Sequence, residues 1–207
     1  MVDKICDSLL DKIRSNDPSI DEEKSEIIYY GLQNMIGELP KGIAILIIAA
    51  IFGVFKLVLL GSAVMLIYRG FAGGVHLKTH ISCLITSTIL VVGSTYFAKE
   101  FIYENTFWVY TLLFVFNFVM AIMYAPADTE NRPIMKKSQM KRQKIESVLM
   151  VTTVYIICTF IIKERVLTNL FMYMITSESL MITPLAYKIF HNKYGKERRE
   201  EILSESM

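Results

Sequence analysis

The chain has 207 residues and a formal net charge of +2, and it is 53% hydrophobic and 20% charged. Its apolar residues are gathered in long runs, which excludes a disordered chain and argues against an ordinary soluble domain. Three scattered cysteines exclude a disulfide framework, and no basic stripe indicates nucleic-acid binding. Asp3, Lys4 and Asp7 interrupt the place of a signal peptide's apolar segment, so we expect an uncleaved, cytosolic N-terminus.

Two amphipathic helices are predicted over residues 1–40, because apolar side chains recur there at helical spacing with charged residues between them. Asp17 and Pro18 end the first helix, and Ser19 with Glu22 forms a capping box that opens the second. Either the two helices lie in the plane of a membrane interface, or they pack on the cytosolic face of a membrane domain.

Five apolar runs follow, and they predict an all-α, polytopic membrane helical bundle. The runs cover residues 42–68, 81–98, 106–125, 147–162 and 167–187. About 20 residues cross the hydrocarbon core, so the first run is too long for one upright span. If it enters and returns with a turn near Gly53, the chain has about six membrane segments. The alternative is four full spans plus a re-entrant hairpin.

Basic residues set the predicted orientation. Residues 128–145 contain six basic and two acidic residues, and the C-terminal tail is also rich in Lys and Arg, so both should be cytosolic. This makes the last two runs a hairpin with a short outer turn, and parity then places Cys83 on the cytosolic side. We expect a membrane-embedded domain over 41–190 and a polar cytosolic tail over 191–207.

Reactive residue types are concentrated between residues 69 and 83. His76, His80 and Cys83 fall within eight residues and include two of the chain's three histidines. Cys83 stands at the N-terminal end of an apolar helix, where the helix dipole favours a thiolate. A nearby histidine could take the thiol proton. Cys–His nucleophilic catalysis is therefore chemically feasible, although such residues are also ordinary in membrane proteins.

The spacing leaves the partner of Cys83 open. On one continuous helix His76 would be ~10.5 Å from Cys83 along the axis, so His80 would be the nearer base. His76 reaches Cys83 only if the segment turns, which Gly73 and Gly74 make feasible. A metal site is a weaker interpretation: all three side chains would share one helix face, but no fourth ligand is evident. We expect no metal and no cofactor.

The sequence resembles the accessory gene regulator B family, membrane cysteine endopeptidases that process quorum-sensing peptide precursors in Gram-positive bacteria. The resemblance covers nearly the whole chain. It rests on Arg69, on the turn Gly73-Gly74-x-His76, on Cys83 seven residues after that histidine, and on the loop motif APADTENRP at residues 125–133.

The resemblance implies that Cys83 is the nucleophile and His76 its histidine. Cys83 would attack a peptide bond of a short precursor and form an acyl-enzyme thioester. A thiol or hydroxyl of the precursor would then close a thiolactone or lactone ring. Supporting or substrate-binding roles would fall to five further residues: Arg69, Gly73, Gly74, His80 and Asp128.

The expected partners are a small precursor peptide and the lipid bilayer, with a homodimer as a candidate assembly and no nucleic acid. The expected location is the bacterial cell membrane, with several passes and both termini cytosolic. The rival hypothesis is a non-enzymatic small transporter or peptide exporter with Glu178 and Lys56 along its pathway. Alternatively, Glu178 only lines a polar seam between helices.

Overall fold

The computed structural model describes residues 2–17, 20–75, 77, 79–101, 106–129, 134, 136–195 and 204. Within these ranges the only named elements are helices, which confirms the predicted all-α class. The α-helices are α1 (Val2–Asn16), α2 (Glu22–Ile51), α3 (Phe55–Ala72), α4 (His80–Glu100), α5 (Thr106–Tyr124), α6 (Lys137–Ile156), α7 (Arg165–Met181) and α8 (Pro184–Ile189). A short π-helix, Ile157–Ile161, extends α6.

The chain forms two compact units, and the first is Met1–Ile48. In it, α1 ends directly before Asp17, where the sequence predicts the break. The Arg14 side chain donates a hydrogen bond to Ser25 Oγ at 2.7 Å, which links α1 to the first turn of α2. The predicted cap residue, Ser19, lies outside the described residues. The side chain of Asp21 accepts a hydrogen bond from the Lys24 amide at 2.8 Å, at the start of α2.

The helix α2 continues through Pro40 to Ile51, so the predicted border between residues 40 and 41 lies inside a helix. The break comes instead at residues 52–54, where Gly53 has a φ of +67°. Few residues other than glycine adopt this left-handed conformation readily, which explains why the first apolar run divides there into two helices. The turn predicted near Gly53 is present.

The second unit, Ala49–Met207, contains the long apolar helices. Among the described residues four stretches are long and apolar enough to cross a membrane: Phe55–Ala72, Ile81–Glu100, Phe107–Tyr124 and Lys137–Ile161. Large side chains such as Leu66 and Trp108 are 66% and 71% exposed on them. Soluble proteins rarely present such continuous apolar surface to water, so these faces suit lipid. The multi-span bundle architecture is confirmed, and the number of crossings stays a prediction.

The helix α7 lies at the centre of this unit, packed against α3, α4, α5 and α6. At Gly61 of α3 an added Cβ would come within 2.7 Å of Met174 Cε, so the missing side chain lets the two helices approach closely. Polar side chains of α7 also bond to its neighbours, as in other membrane bundles. These pairs are Asn169 with Tyr110, Thr176 with Asn117, Ser177 with Ser94 and Ser179 with Tyr68. The predicted polar seam is present.

Candidate active site

Cys83 lies at the N-terminal end of α4, as the sequence predicts. The helix begins at His80, and the Thr79 hydroxyl caps it by accepting a hydrogen bond from the Ser82 amide at 3.1 Å. The Cys83 amide donates to the Thr79 carbonyl at 3.0 Å, so Cys83 belongs to the first hydrogen-bonded turn. Its side chain is half-buried. The thiol is therefore close to the N-terminal, positive end of the helix dipole.

The described residues between α3 and α4, which are 73–75, 77 and 79, are not helical. The helix α3 ends at Ala72, and Gly73 and Gly74 follow with φ values of +73° and +136°. Because α4 begins only at residue 80, the stretch 73–83 is not one continuous helix. This removes the objection that helical spacing keeps residue 76 far from Cys83. It also removes the premise that all three side chains share one face of a continuous helix.

His76 lies outside the described residues, and so does the side chain of His80. The choice of the histidine that serves Cys83 therefore stays a prediction. The structure does describe how the chain on either side of this segment is held.

The glycine turn lies beside residues 125–129, the part of the loop motif that the structure describes. The Gly74 amide donates to the Ala127 carbonyl at 2.8 Å, and the Ala127 amide donates to the Ala72 carbonyl at 2.8 Å. A Cβ on Gly73 would collide with the Ala127 carbonyl oxygen, so only glycine allows the two backbones to approach this closely. Two motifs more than fifty residues apart thus form one backbone pairing beside the predicted site.

Arg69 attaches the same segment to α7. Its Nη1 atom lies 2.6 Å from Glu178 Oε1, and its Nη2 atom donates to the Val75 carbonyl at 2.6 Å. The Val75 amide donates to the Met181 carbonyl at 3.2 Å. Arg69, predicted as a supporting residue, thus fixes the backbone immediately before residue 76.

Glu178 was not among the residues predicted for the site. The available signal was an acidic residue within an apolar helix, which is a functional candidate by default. In the structure Glu178 is 0% exposed and paired with Arg69 beside the glycine turn. Lys56, the other residue of the transporter hypothesis, is exposed near the start of α3.

Asp128 holds the loop motif in place. The side chain is 8% exposed, and its Oδ2 atom accepts a hydrogen bond from the Ile134 amide at 2.8 Å. Its carbonyl accepts from Tyr187 Oη at 2.9 Å and from the Gly195 amide at 3.3 Å. These contacts make Asp128 an anchor between the basic loop and the segment after α8.

Two stacked tyrosines secure that segment. The rings of Tyr187 and Tyr194 are 3.9 Å apart and nearly parallel, and Tyr194 Oη donates to the Ile182 carbonyl at 3.0 Å. Burial, with Tyr124 nearby, raises the pKa of Tyr194 to about 12, so its hydroxyl stays neutral and remains a donor at physiological pH. Residues 191–195, which the sequence assigned to a polar tail, therefore belong to the folded unit.

Comparison with known proteins gives consistent matches. The sequence profile of the family described as Accessory gene regulator B matches residues 6–182. Putative AgrB-like protein 2 of Clostridium perfringens is 29% identical over 162 residues, covering 75% of this chain and 74% of that protein. Protein FsrB of Enterococcus faecalis is 26% identical over 197 residues, covering 91% and 80%. Accessory gene regulator protein B of Staphylococcus epidermidis is 27% identical over 169 residues, covering 82% and 84%. No solved structure matches the chain.

Proposed function

The chain belongs to the accessory gene regulator B family, and we propose that it is a membrane cysteine endopeptidase that processes a small signalling pro-peptide. Membership of this family gives it a part in quorum-sensing accessory gene regulation. The observation that carries the proposal is the half-buried Cys83 thiol in the first turn of α4. The helix α4 directly follows a connecting segment in which Val75 is bonded to Arg69 and Gly74 is bonded to Ala127.

In the first step His76 accepts the proton of the Cys83 thiol, and the thiolate attacks the carbonyl carbon of a peptide bond in the precursor. The positive end of α4 stabilises the developing negative charge. The carbon–nitrogen bond then breaks, and the protonated His76 returns its proton to the departing amine. The C-terminal part of the precursor leaves, and its N-terminal part remains bound to Cys83 as a thioester.

In the second step a thiol or hydroxyl of the bound peptide attacks that thioester. Its proton passes through His76 to the Cys83 sulfur, which is released as the thiol, and a thiolactone or lactone ring closes. Exchange between a thioester and another thiol needs no external energy source. Water competes with this attack, so a site shielded at the membrane surface favours the ring over hydrolysis.

The remaining contacts support these steps from a distance. Arg69, Gly73 and Gly74 shape the backbone that precedes His76, and Asp128 holds the loop that pairs with it. Cys83 faces the cytosol of a bacterial cell, where the precursor is made, and both termini lie on that side of the cell membrane.

The test is co-expression of the chain with a small peptide encoded beside its gene, with the products read by mass. We expect a shortened peptide that has also lost one water relative to its linear form, because ring closure removes water. A peptide that stays at full length with wild-type protein in the membrane would contradict the proposal. Co-expression with the Cys83→Ser variant is the matched control.

A further inference from the structure

The buried carboxylate of Glu178 begins a chain of contacts that ends on the backbone next to His76. Its Oε1 atom accepts from Arg69 Nη1 at 2.6 Å, and Arg69 Nη2 donates to the Val75 carbonyl at 2.6 Å. The guanidinium group is planar and rigid, so its two arms hold the carboxylate and the carbonyl at a fixed separation. Glu178 therefore fixes the position of the Val75 carbonyl through Arg69.

The glycine turn packs directly on this pair. A Cβ on Gly74 would come within 2.9 Å of Glu178 Oε1 and 3.4 Å of Arg69 Nη1. The Val75 amide is bonded to the Met181 carbonyl at the C-terminal end of α7. Residues 74 and 75 are thus held on one side by backbone contacts and on the other by the ion pair.

The stability of the fold alone does not explain the buried ion pair of Arg69 and Glu178. Glu178 is 0% exposed, and its Oε2 atom has no hydrogen-bond partner among the described residues. A buried, incompletely bonded carboxylate carries a desolvation cost, and apolar residues often stabilise such a site as well as an ion pair does. What an apolar pair cannot supply is the directed bond from Arg69 to the Val75 carbonyl.

We infer that Glu178 is a positioning residue of the peptidase: it holds Arg69, and Arg69 sets the backbone that presents His76 to Cys83. The inference rests on the proposed function. A displacement of about 1 Å in a catalytic group can cost about 100-fold in rate. Loss of the Glu178 charge should therefore lower turnover without weakening the binding of the precursor.

The first experiment exchanges the two charges in Arg69→Glu/Glu178→Arg. The exchange restores an ion pair between α3 and α7, but glutamate at position 69 has no donor for the Val75 carbonyl. We expect this variant to reach the membrane at the wild-type level and to remain inactive. If it processes the precursor at the wild-type rate, the pair serves only to hold the fold, and the inference is wrong.

The second experiment uses Glu178→Gln, which keeps the shape of the side chain and removes its charge. We expect a fall of about 100-fold in kcat with KM unchanged. The matched control is Ser177→Ala, which removes a hydrogen bond of the neighbouring residue to Ser94 and should keep wild-type kcat. Equal kcat for Glu178→Gln and wild type would overturn the inference while the peptidase proposal stands.

A third measurement does not depend on the precursor. With Cys6 and Cys158 replaced by serine, the rate of iodoacetamide alkylation at pH 7 reports the reactivity of Cys83 alone. Since the thiolate is the reactive form, misplacement of His76 should slow alkylation by about tenfold in Glu178→Gln. An unchanged alkylation rate would contradict the positioning role. Failure of the wild-type chain to process the precursor would instead contradict the proposed function.

Discussion

The three cysteines lie in different surroundings. Cys83 is half-buried in the first turn of α4, whereas Cys6 and Cys158 are buried. If Cys83 is the nucleophile, Cys83→Ser should lower processing by about 10³-fold or more, because a serine hydroxyl is a far poorer nucleophile than a histidine-paired thiolate. The measurement is the fraction of co-expressed precursor converted, read by mass.

The other two cysteines provide the matched controls. Cys6→Ser and Cys158→Ser should keep wild-type processing, because neither of these buried thiols takes part in the proposed chemistry. Loss of processing in Cys158→Ser, with normal amounts of protein in the membrane, would count against Cys83 as the only thiol that reacts.

The histidines can be separated by substitution. His80 and Cys83 are three residues apart on α4, so helical spacing still makes His80 a candidate base, whereas the non-helical residues before it no longer place His76 too far away. We predict that His76→Ala is nearly as damaging as Cys83→Ser and that His80→Ala costs much less. Rates of precursor conversion for the two variants decide the assignment. A more severe loss in His80→Ala would transfer the role of base to His80.

At the scale of elements, the join between α3 and the loop motif depends on Gly73. Alanine there would have to adopt a φ of +73° and would collide with the Ala127 carbonyl. A strained residue of this kind costs about 1–3 kcal/mol. We therefore expect Gly73→Ala to lower the melting temperature of the detergent-solubilised protein and to abolish processing.

Gly70, one turn earlier on α3, is the control for this substitution. An added Cβ meets nothing within 4 Å at this position, so Gly70→Ala should be tolerated. Alanine has a higher helix propensity than glycine, so this substitution should raise the free energy of unfolding by about 0.5–1 kcal/mol. Equal behaviour of the two variants would show that the backbone pairing at Gly73 does not matter for the site.

The helices also show which features of the fold can be predicted from local sequence signals. The helix start before Cys83 and the break at Gly53 were predictable, because dipeptide and glycine signals act within a few residues. The continuation of α2 through Pro40 could not be predicted, since proline disfavours a helix interior. In the sequence, Pro40 also stands at the border between two apolar patterns. The ion pair of Arg69 and Glu178 joins residues 109 positions apart, which no local spacing indicates.

For the molecule as a whole, the apolar runs predicted a membrane bundle. They did not predict which helix lies at its centre. Long apolar helices are a property of composition and were evident from the sequence. The central position of α7 was not evident from the sequence. Its polar residues bond to partners on α3, α4 and α5, and the sequence alone does not identify those partners. The orientation in the membrane stays a prediction that rests on the basic loop.

Orientation can be measured with single-cysteine variants and a membrane-impermeant thiol reagent on intact cells. We predict that Cys83 and Lys141→Cys, near the start of α6, are labelled only after permeabilisation. Lys163→Cys, in the turn between the last two apolar runs, should be labelled from outside. Both lysines are exposed, so accessibility of the side chain does not limit labelling. Labelling of Cys83 in intact cells would overturn the cytosolic placement of the site.

The formation of a thioester between Cys83 and the precursor is tested most directly by the mass of the Cys83-containing fragment after brief incubation of the purified protein with its precursor. We predict an added mass equal to the N-terminal part of the precursor, carried on Cys83 and removed by hydroxylamine as expected for a thioester. Cys83→Ser should show neither the added mass nor the cleaved peptide. Cleavage that proceeds unchanged in Cys83→Ser, with no added mass on Cys83 in the wild type, would show that Cys83 is not the nucleophile.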